Sequence, residues 1–134
     1  MNKEKKELVH YRLQQASEAL ADAWLLFEQG GSVRSVINRA YYGMFYSVLA
    51  LLIDVGKGAS KHSGVIALFD QYFAKLGKFP IEISKAIHKA FDLRQMADYR
   101  EFVDLSKEDA EETIKNADKF LSETNRYFKQ HYGE

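Results

Sequence analysis

Apolar residues near the start of the chain recur every three or four positions, which places them on one face of an α-helix. The same spacing returns near the other end, after Ser106 and Asp109, whose separation has the form of a helix-starting capping box. The pattern therefore predicts a first and a last helix that each bury one face. The apolar positions are Val9, Leu13, Ala16, Leu20, Ala23 and Phe27 before Gly30-Gly31, and later Ala110, Ile114, Ala117, Leu121, Thr124 and Phe128.

The middle of the chain predicts three more helices. Residues from Ser32 to about Val55 are apolar on nearly all sides, as expected of a central helix. A third helix runs from His62 to about Leu76 and a fourth from Ile81 to about Tyr99, separated by GKGAS and by GKFP, which contains the single proline. The β-branched alternation typical of strands is absent. We therefore predict an all-α protein, an up-and-down bundle of five helices in a single domain spanning residues 1–134.

Composition narrows the possible functions. The sequence has no cysteine, so we expect neither disulfides nor a thiolate metal site, and a cytoplasmic location. Its 19 basic and 19 acidic residues balance, so no net charge attracts nucleic acid from a distance, although a local phosphate site remains open. The longest apolar run, Ala40 to Ile53, is shorter than the roughly 20 residues of a membrane span. The charged first residues argue against a secretory signal peptide, and we expect no membrane association.

Two arginines fall on faces that are otherwise apolar. Arg94 lies in the middle of the apolar arc of the fourth helix, with Asp98 one turn later, and Arg39 shares a face of the second helix with Gly43 and Tyr46. A buried charge without a partner is penalised by several kcal/mol, so each arginine needs one. Either both make structural ion pairs with carboxylates, or they line a polar cleft or self-association surface, where guanidinium groups suit phosphate.

A second candidate phosphate region precedes the third helix. Lys57, Lys61 and His62 gather where free N–H groups of a helix start favour anions, although the spacing of a P-loop is not met. The alternatives are a solvated turn for the lysines and a capping or surface role for His62. Tyr42, with its neighbours Tyr41 and Tyr46, would wall the cleft or else belong to the core.

Metal and cofactor chemistry has little support in the sequence. His88 and Asp92 have a spacing that would allow a metal ion, but a surface pair explains them as well, and the other histidines form no ligand-spaced cluster. The sequence also lacks the serine elbow of hydrolases and the glycine-rich dinucleotide fingerprint. We therefore expect no metal and no cofactor.

Three segments together resemble the HEPN domain family. They are NRAYYGMFYSVLALL (38–52), KHSGVIALFDQYF (61–73) and LRQMADYREF (93–102), and their order and spacing agree with that family from the first helix into the last. The resemblance implies an up-and-down helical bundle, a homodimer, and a minimal nucleotidyltransferase as the partner in a prokaryotic toxin–antitoxin pair. It also implies that active ribonuclease members carry an arginine followed, after four to six residues, by a histidine.

The resemblance assigns that arginine to Arg94, but Tyr99, Arg100 and Glu101 occupy the positions where the histidine would stand. Metal-free RNA cleavage needs a base for the 2′-hydroxyl, an acid for the leaving oxygen and positive charge beside the phosphorus. Arg94 would supply the charge, and Asp98 or Tyr99 would have to replace the histidine. A tyrosine with a reference pKa of about 10 is a poor base, and Asp98 is neutralised by pairing with Arg94.

Three functional hypotheses follow. The first is a HEPN partner of a minimal nucleotidyltransferase that binds RNA or nucleotide phosphates, with catalytic candidates Arg94, Asp98 and Tyr99. Its phosphate-binding candidates are Arg39, Tyr42, Lys61 and His62, and metal-independent ribonuclease activity is part of this hypothesis. The second is a non-catalytic interaction module that forms a dimer and docks the nucleotidyltransferase. The third is a plain structural bundle with two satisfied core arginines.

Overall fold

The computed structural model describes residues 1–100 and 104–133, and over these residues the chain is helical without a strand. The helices are α1 (Lys3–Glu28), α2 (Val33–Val55), α3 (His62–Phe69), α4 (Ile81–Tyr99) and α5 (Lys107–Tyr132). The predicted five-helix, all-α, up-and-down bundle is confirmed. The prediction differs from the structure in the third helix, which was expected to run to about Leu76: α3 ends at Phe69, where a π-helical turn, Asp70–Ala74, takes over.

Side chains and glycines define the helix ends as the sequence pattern indicated. The hydroxyl of Ser106 accepts a hydrogen bond from the backbone N–H of Asp109 at 3.0 Å, and the Asp109 carboxylate accepts one from the N–H of Ser106 at 3.0 Å. This confirms the capping box at the start of α5. The bond from the Ser106 backbone N–H, and after it the Ser106 hydroxyl, hold the pKa of the Asp109 carboxyl below its ordinary value. Gly56, which follows α2, has a φ of 68°, a left-handed conformation that glycine adopts without steric cost.

Helix α2 is the centre of the bundle and packs against α1, α3, α4 and α5. Its length and apolar composition would suffice to cross a membrane, but 67% of its most apolar window is buried inside the protein, as in a core helix. Gly43 lies close to α1: a methyl group added there would lie 3.5 Å from the Ala16 carbonyl oxygen. This central position fixes the side chains that α2 presents toward α3 and α4.

An aromatic cluster and the carboxylate of Asp54 stabilise a second region of the bundle. Phe69, Phe73, Phe79 and Phe120 are buried together, with ring centres between 5.3 and 6.4 Å apart. Nearby, the Tyr127 hydroxyl donates to Asp54 Oδ2 at 2.7 Å, and the Tyr132 hydroxyl donates to the other oxygen of the same carboxylate. One carboxylate at the end of α2 therefore fastens the end of α5.

The π-helical turn is tied to α4 through Asp70. Its carboxylate accepts a hydrogen bond from the Ser84 hydroxyl at 2.5 Å and pairs with His88 Nε2 at 2.5 Å. The serine bonds the carboxylate rather than the imidazole, so these three residues are not arranged as a catalytic triad. His88 thus pairs with Asp70, and not with Asp92 as the sequence spacing allowed.

A candidate phosphate-binding corner

Arg94 lies in the apolar arc of α4, as the sequence pattern indicated, and this arc faces α2 at Tyr41 and Tyr42. Its side chain is only 16% exposed. The guanidinium carbon lies 5.5 Å from the centre of the Tyr41 ring and 5.4 Å from that of Tyr42, within range of cation–π attraction. A buried positive charge therefore rests on two aromatic rings of the central helix.

His62, the first residue of α3, completes a cluster with Arg94 and Tyr41. Its Nδ1 atom lies 2.9 Å from the Tyr41 hydroxyl and 3.4 Å from Arg94 Nη1. The imidazole also stacks on the Phe45 ring, with 4.1 Å between ring centres. Three helices thus converge on one imidazole, whose plane is set by Phe45 and whose inner nitrogen faces two other polar groups.

The hydrogen bonds define which nitrogen of His62 carries the proton. An arginine is protonated at any physiological pH and only donates, so Nδ1 must accept from Arg94. Tyr41 is buried, and burial raises the pKa of its hydroxyl, which therefore keeps its proton and donates to Nδ1 as well. The hydrogen-bond pattern accordingly assigns the neutral imidazole with its proton on Nε2. Burial first, and then the charge of Arg94, lower the pKa of His62 below its ordinary value of 6.5.

The proton-bearing nitrogen of His62 is the one that the described residues do not engage. Nε2 makes no hydrogen bond within residues 1–100 and 104–133. The residue as a whole is half-buried, so part of it borders solvent. His62 consequently keeps one N–H donor that these residues leave unengaged, while its other nitrogen is occupied by Tyr41 and Arg94.

Arg94 and Asp98 are paired by distance but not by a well-directed hydrogen bond. Arg94 Nε lies 3.1 Å from Asp98 Oδ2, one helical turn away. The N–H does not point at that oxygen, however, so Nε is a buried donor without a hydrogen-bond acceptor among the described residues. The ion pair with Asp98 therefore compensates the charge of Arg94, but it leaves the Nε–H donor without a hydrogen bond among the described residues.

Arg39 is held differently. Its guanidinium donates to the side-chain oxygen of Asn38 at 3.0 and 3.1 Å and lies 5.1 Å from the Tyr42 ring centre. Within the described part of the chain it makes no ion pair with a carboxylate, so a structural ion pair does not explain it. Arg39 and Asp98 share the wall of an open groove of about 340 Å³, lined by Leu26, Arg34, Ser35, Asn38, Arg39 and Asp98.

Tyr99 stands apart from this cluster. Five residues after Arg94, it is rotated by about 140° around α4, and it is 74% exposed. It borders a separate surface groove with Asp92, Gln95, Met96 and Arg100. Glu101, the last position at which the histidine was sought, lies outside the described residues.

Lys61 is exposed and directly precedes His62, whereas Lys57 lies over the ring of Tyr72.

The structure therefore brings together Arg94, Asp98, His62, Tyr42 and Arg39, which the sequence had divided between two candidate groups. We call His62, Arg94 and Asp98, with the rings of Tyr41 and Tyr42, the Arg94 corner. The sequence reasoning missed Tyr41 as the partner of His62. It also missed Arg34 and Asn38 in the groove, which carry no distinctive motif. Within the described residues, no three histidine or acidic side chains gather as a metal site.

Comparison with known proteins identifies one family model and several similar proteins. The model of the HEPN domain matches residues 9–127. A UPF0332 protein of Thermotoga maritima is 40% identical over 118 residues, covering 88% of this chain and 89% of that protein. "Putative toxin MJ0605" of Methanocaldococcus jannaschii is 33% identical over 97% of this chain and 96% of its own length. "Putative toxin MJ0142" of the same organism is 37% identical over 68% of this chain and 62% of its own length.

Proposed function

The chain belongs to the HEPN domain family, and from this premise we propose that it is the HEPN component of a toxin–antitoxin pair that binds RNA or nucleotide phosphates at the Arg94 corner. Two of its relatives carry the name of a toxin, which supports the module type. The partner we propose is a minimal nucleotidyltransferase, and the protein acts as a homodimer in the cytoplasm. Metal-independent cleavage of RNA at the same corner belongs to this proposal.

The observation that carries the proposal is the state of Arg94. Its side chain is 16% exposed, its Nη1 atom lies 3.4 Å from His62 Nδ1, and the Nε2–H of that histidine has no acceptor among the described residues. A permanent positive charge beside such a donor suits an anionic ligand, because hydrogen bonds to charged groups are stronger than neutral ones. A phosphate group offers several negatively charged oxygens and satisfies such donors well.

The direct test is incubation of a mixed RNA pool with purified protein in the absence of metal ions. We expect wild type to bind the RNA, and we expect Arg94→Ala to lose binding and any cleavage. Arg126→Ala is the matched control, because Arg126 is an exposed arginine of α5 that pairs with Glu123. Light scattering on each protein keeps a change of oligomeric state separate from a loss of the site. Equal RNA binding by wild type and Arg94→Ala would refute the proposal.

A second candidate function is a non-catalytic module that forms a dimer and docks the nucleotidyltransferase. Two observations favour it: Arg94 is already paired with Asp98, and the exposed Tyr99 lies beside Met96 at the end of α4. Under this function, wild type binds no nucleotide or RNA. Arg94→Glu or Tyr99→Ala would then change the dimer to a monomer or abolish binding of the nucleotidyltransferase.

A further inference from the structure

We propose that His62 and Arg94 bind the same phosphate group, with His62 acting as a neutral hydrogen-bond donor through Nε2–H. This rests on the proposed function and adds to it the residue that stands in for the missing histidine. The histidine of this site comes from the start of α3 and not from the positions after Arg94. Tyr41 is its positioning residue.

The Arg94 guanidinium and the His62 imidazole lie close enough for one ligand to contact both. Nδ1 of His62 is 3.4 Å from Arg94 Nη1, so the guanidinium and the imidazole are neighbours. His62 is half-buried and the Arg94 side chain is 16% exposed, so both residues border solvent. A phosphate group carries several acceptor oxygens, so one anion seated beside them accepts from both residues.

Tyr41 and Phe45 hold the imidazole in the orientation that this role requires. The Tyr41 hydroxyl donates to Nδ1 at 2.9 Å, and Tyr41 itself is completely buried. Phe45 stacks on the ring at 4.1 Å and prevents it from tilting. A ring held in this way keeps its proton on Nε2, as a second partner does for many functional histidines.

The same hydrogen bonds argue against His62 as a base. A base needs its lone pair on the nitrogen that faces the substrate, and here the lone pair is on Nδ1, which faces Tyr41 and Arg94. A neutral imidazole that donates a hydrogen bond is an established way to stabilise negative charge on a substrate oxygen. His62 therefore stabilises charge on the phosphate and leaves the 2′-hydroxyl proton to another group.

The test measures binding of a fluorescein-labelled, single-stranded 2′-O-methyl RNA octamer, which cannot be cleaved through its 2′-oxygen. We expect His62→Ala to weaken binding about tenfold, as for a lost hydrogen bond to a charged group. His62→Gln is the matched variant, because the amide nitrogen of glutamine replaces the Nε2–H donor. We expect it to bind within about threefold of wild type. Circular dichroism on each variant verifies the fold.

The outcomes separate this inference from the function on which it rests. If wild type does not bind the octamer, both are wrong. If Arg94→Ala loses binding and His62→Ala does not, the proposed function stands and the shared site is wrong. Equal losses in His62→Ala and His62→Gln would also overturn the donor role.

A second measurement determines the tautomer of His62 in the absence of ligand. Long-range ¹H–¹⁵N NMR spectra of wild type at neutral pH should show an unprotonated Nδ1 and a protonated Nε2 for His62. In Tyr41→Phe, which removes one donor to Nδ1, the proportion of the other tautomer should rise. A protonated Nδ1 in wild type would overturn the inference whatever the binding results.

Discussion

His62 Nδ1 lies 3.4 Å from Arg94 Nη1, although the two residues are 32 positions apart in the sequence. The first belongs to α3 and the second to α4, and α2 supplies the Tyr41 hydroxyl that reaches the same nitrogen. An arginine and a histidine are thus adjacent in space, in a chain that has no histidine at positions 99–101 after Arg94. This adjacency determines the protonation behaviour and the stability of the corner.

The pKa of His62 should lie below 6.5, because burial and the neighbouring Arg94 charge both disfavour the imidazolium form. Arg94→Gln removes the smaller of these two causes. We therefore expect the pKa of His62 to rise in Arg94→Gln and to stay below 6.5, because burial persists. Titration of the His62 ring proton by NMR measures both values. An unchanged pKa in Arg94→Gln would contradict the contact between the two residues.

Folding stability should decrease as the pH falls through 6.5. Because the pKa of His62 is lower in the folded protein than in the unfolded chain, the unfolded chain binds more protons in that window. The contribution of His62 is fully present above the unfolded pKa and declines on acidification. Urea denaturation at pH 7.5 and 5.5 measures it. His62→Gln should lose less stability than wild type between these two pH values, and an equal loss in the two proteins would contradict the prediction.

Replacing Arg94 with methionine should separate stability from binding. Methionine packs against the Tyr41 and Tyr42 rings and removes the buried Nε that lacks an acceptor. We expect the free energy of unfolding to change by less than about 1 kcal/mol, because Asp98, the partner that remains, is exposed and its carboxylate is solvated without the arginine. RNA binding should be lost. Lys89→Met, which removes an exposed cation from the same helix, is the control and should retain binding.

Asp54 should contribute more to stability than the Tyr132 hydroxyl that it binds. Asp54→Ala leaves the half-enclosed Tyr127 hydroxyl without its acceptor, which costs about 1–3 kcal/mol. Tyr132→Phe removes one hydrogen bond at a more exposed position and should cost about 0.5–1 kcal/mol. Urea denaturation compares the two variants, with Glu112→Ala as an exposed control. A larger loss in Tyr132→Phe than in Asp54→Ala would refute this ranking.

Gly43 should tolerate alanine but not leucine. A methyl group there meets Ala16 and Leu20 of α1 at 3.5–3.6 Å, which is ordinary contact distance. Because glycine within a helix is unfavourable by about 0.5–1 kcal/mol relative to alanine, Gly43→Ala should be neutral or stabilising. Gly43→Leu overfills the interface between α1 and α2 and should cost about 1–3 kcal/mol. Thermal denaturation followed by circular dichroism measures both, and destabilisation by alanine would show a tighter approach of the helices.

The helices were predictable because each buries one face, and burial imposes a 3.6-residue period that is visible in the sequence. The pairing of Arg94 with Asp98 was predictable for the same reason, since the two are one turn apart. The change to π-helical geometry at Asp70 was not, because no residue type there marks it.

The contact between His62 and Arg94 was beyond sequence reasoning, since it depends on how α3 sits against α4 and not on any local spacing. Tyr99 shows the opposite situation. The spacing of the family motif placed it with Arg94, whereas the helical rotation between them turns it to another surface. Linear spacing therefore grouped Tyr99 with Arg94, although the helix turns them to different surfaces. It also assigned His62 and Arg94 to different groups, although the bundle brings them together.

The imidazole of His62 is restrained at Nδ1 by Tyr41 and Arg94 and on its ring face by Phe45, all of which belong to packed helices. Its rotamer freedom is therefore largely lost during folding, before any ligand arrives. A ligand that docks at this edge orders few protein groups, so most of the conformational entropy cost falls on the ligand itself. A flexible single strand of RNA would lose much conformational entropy on binding here, whereas a short or already ordered phosphate ligand would lose less.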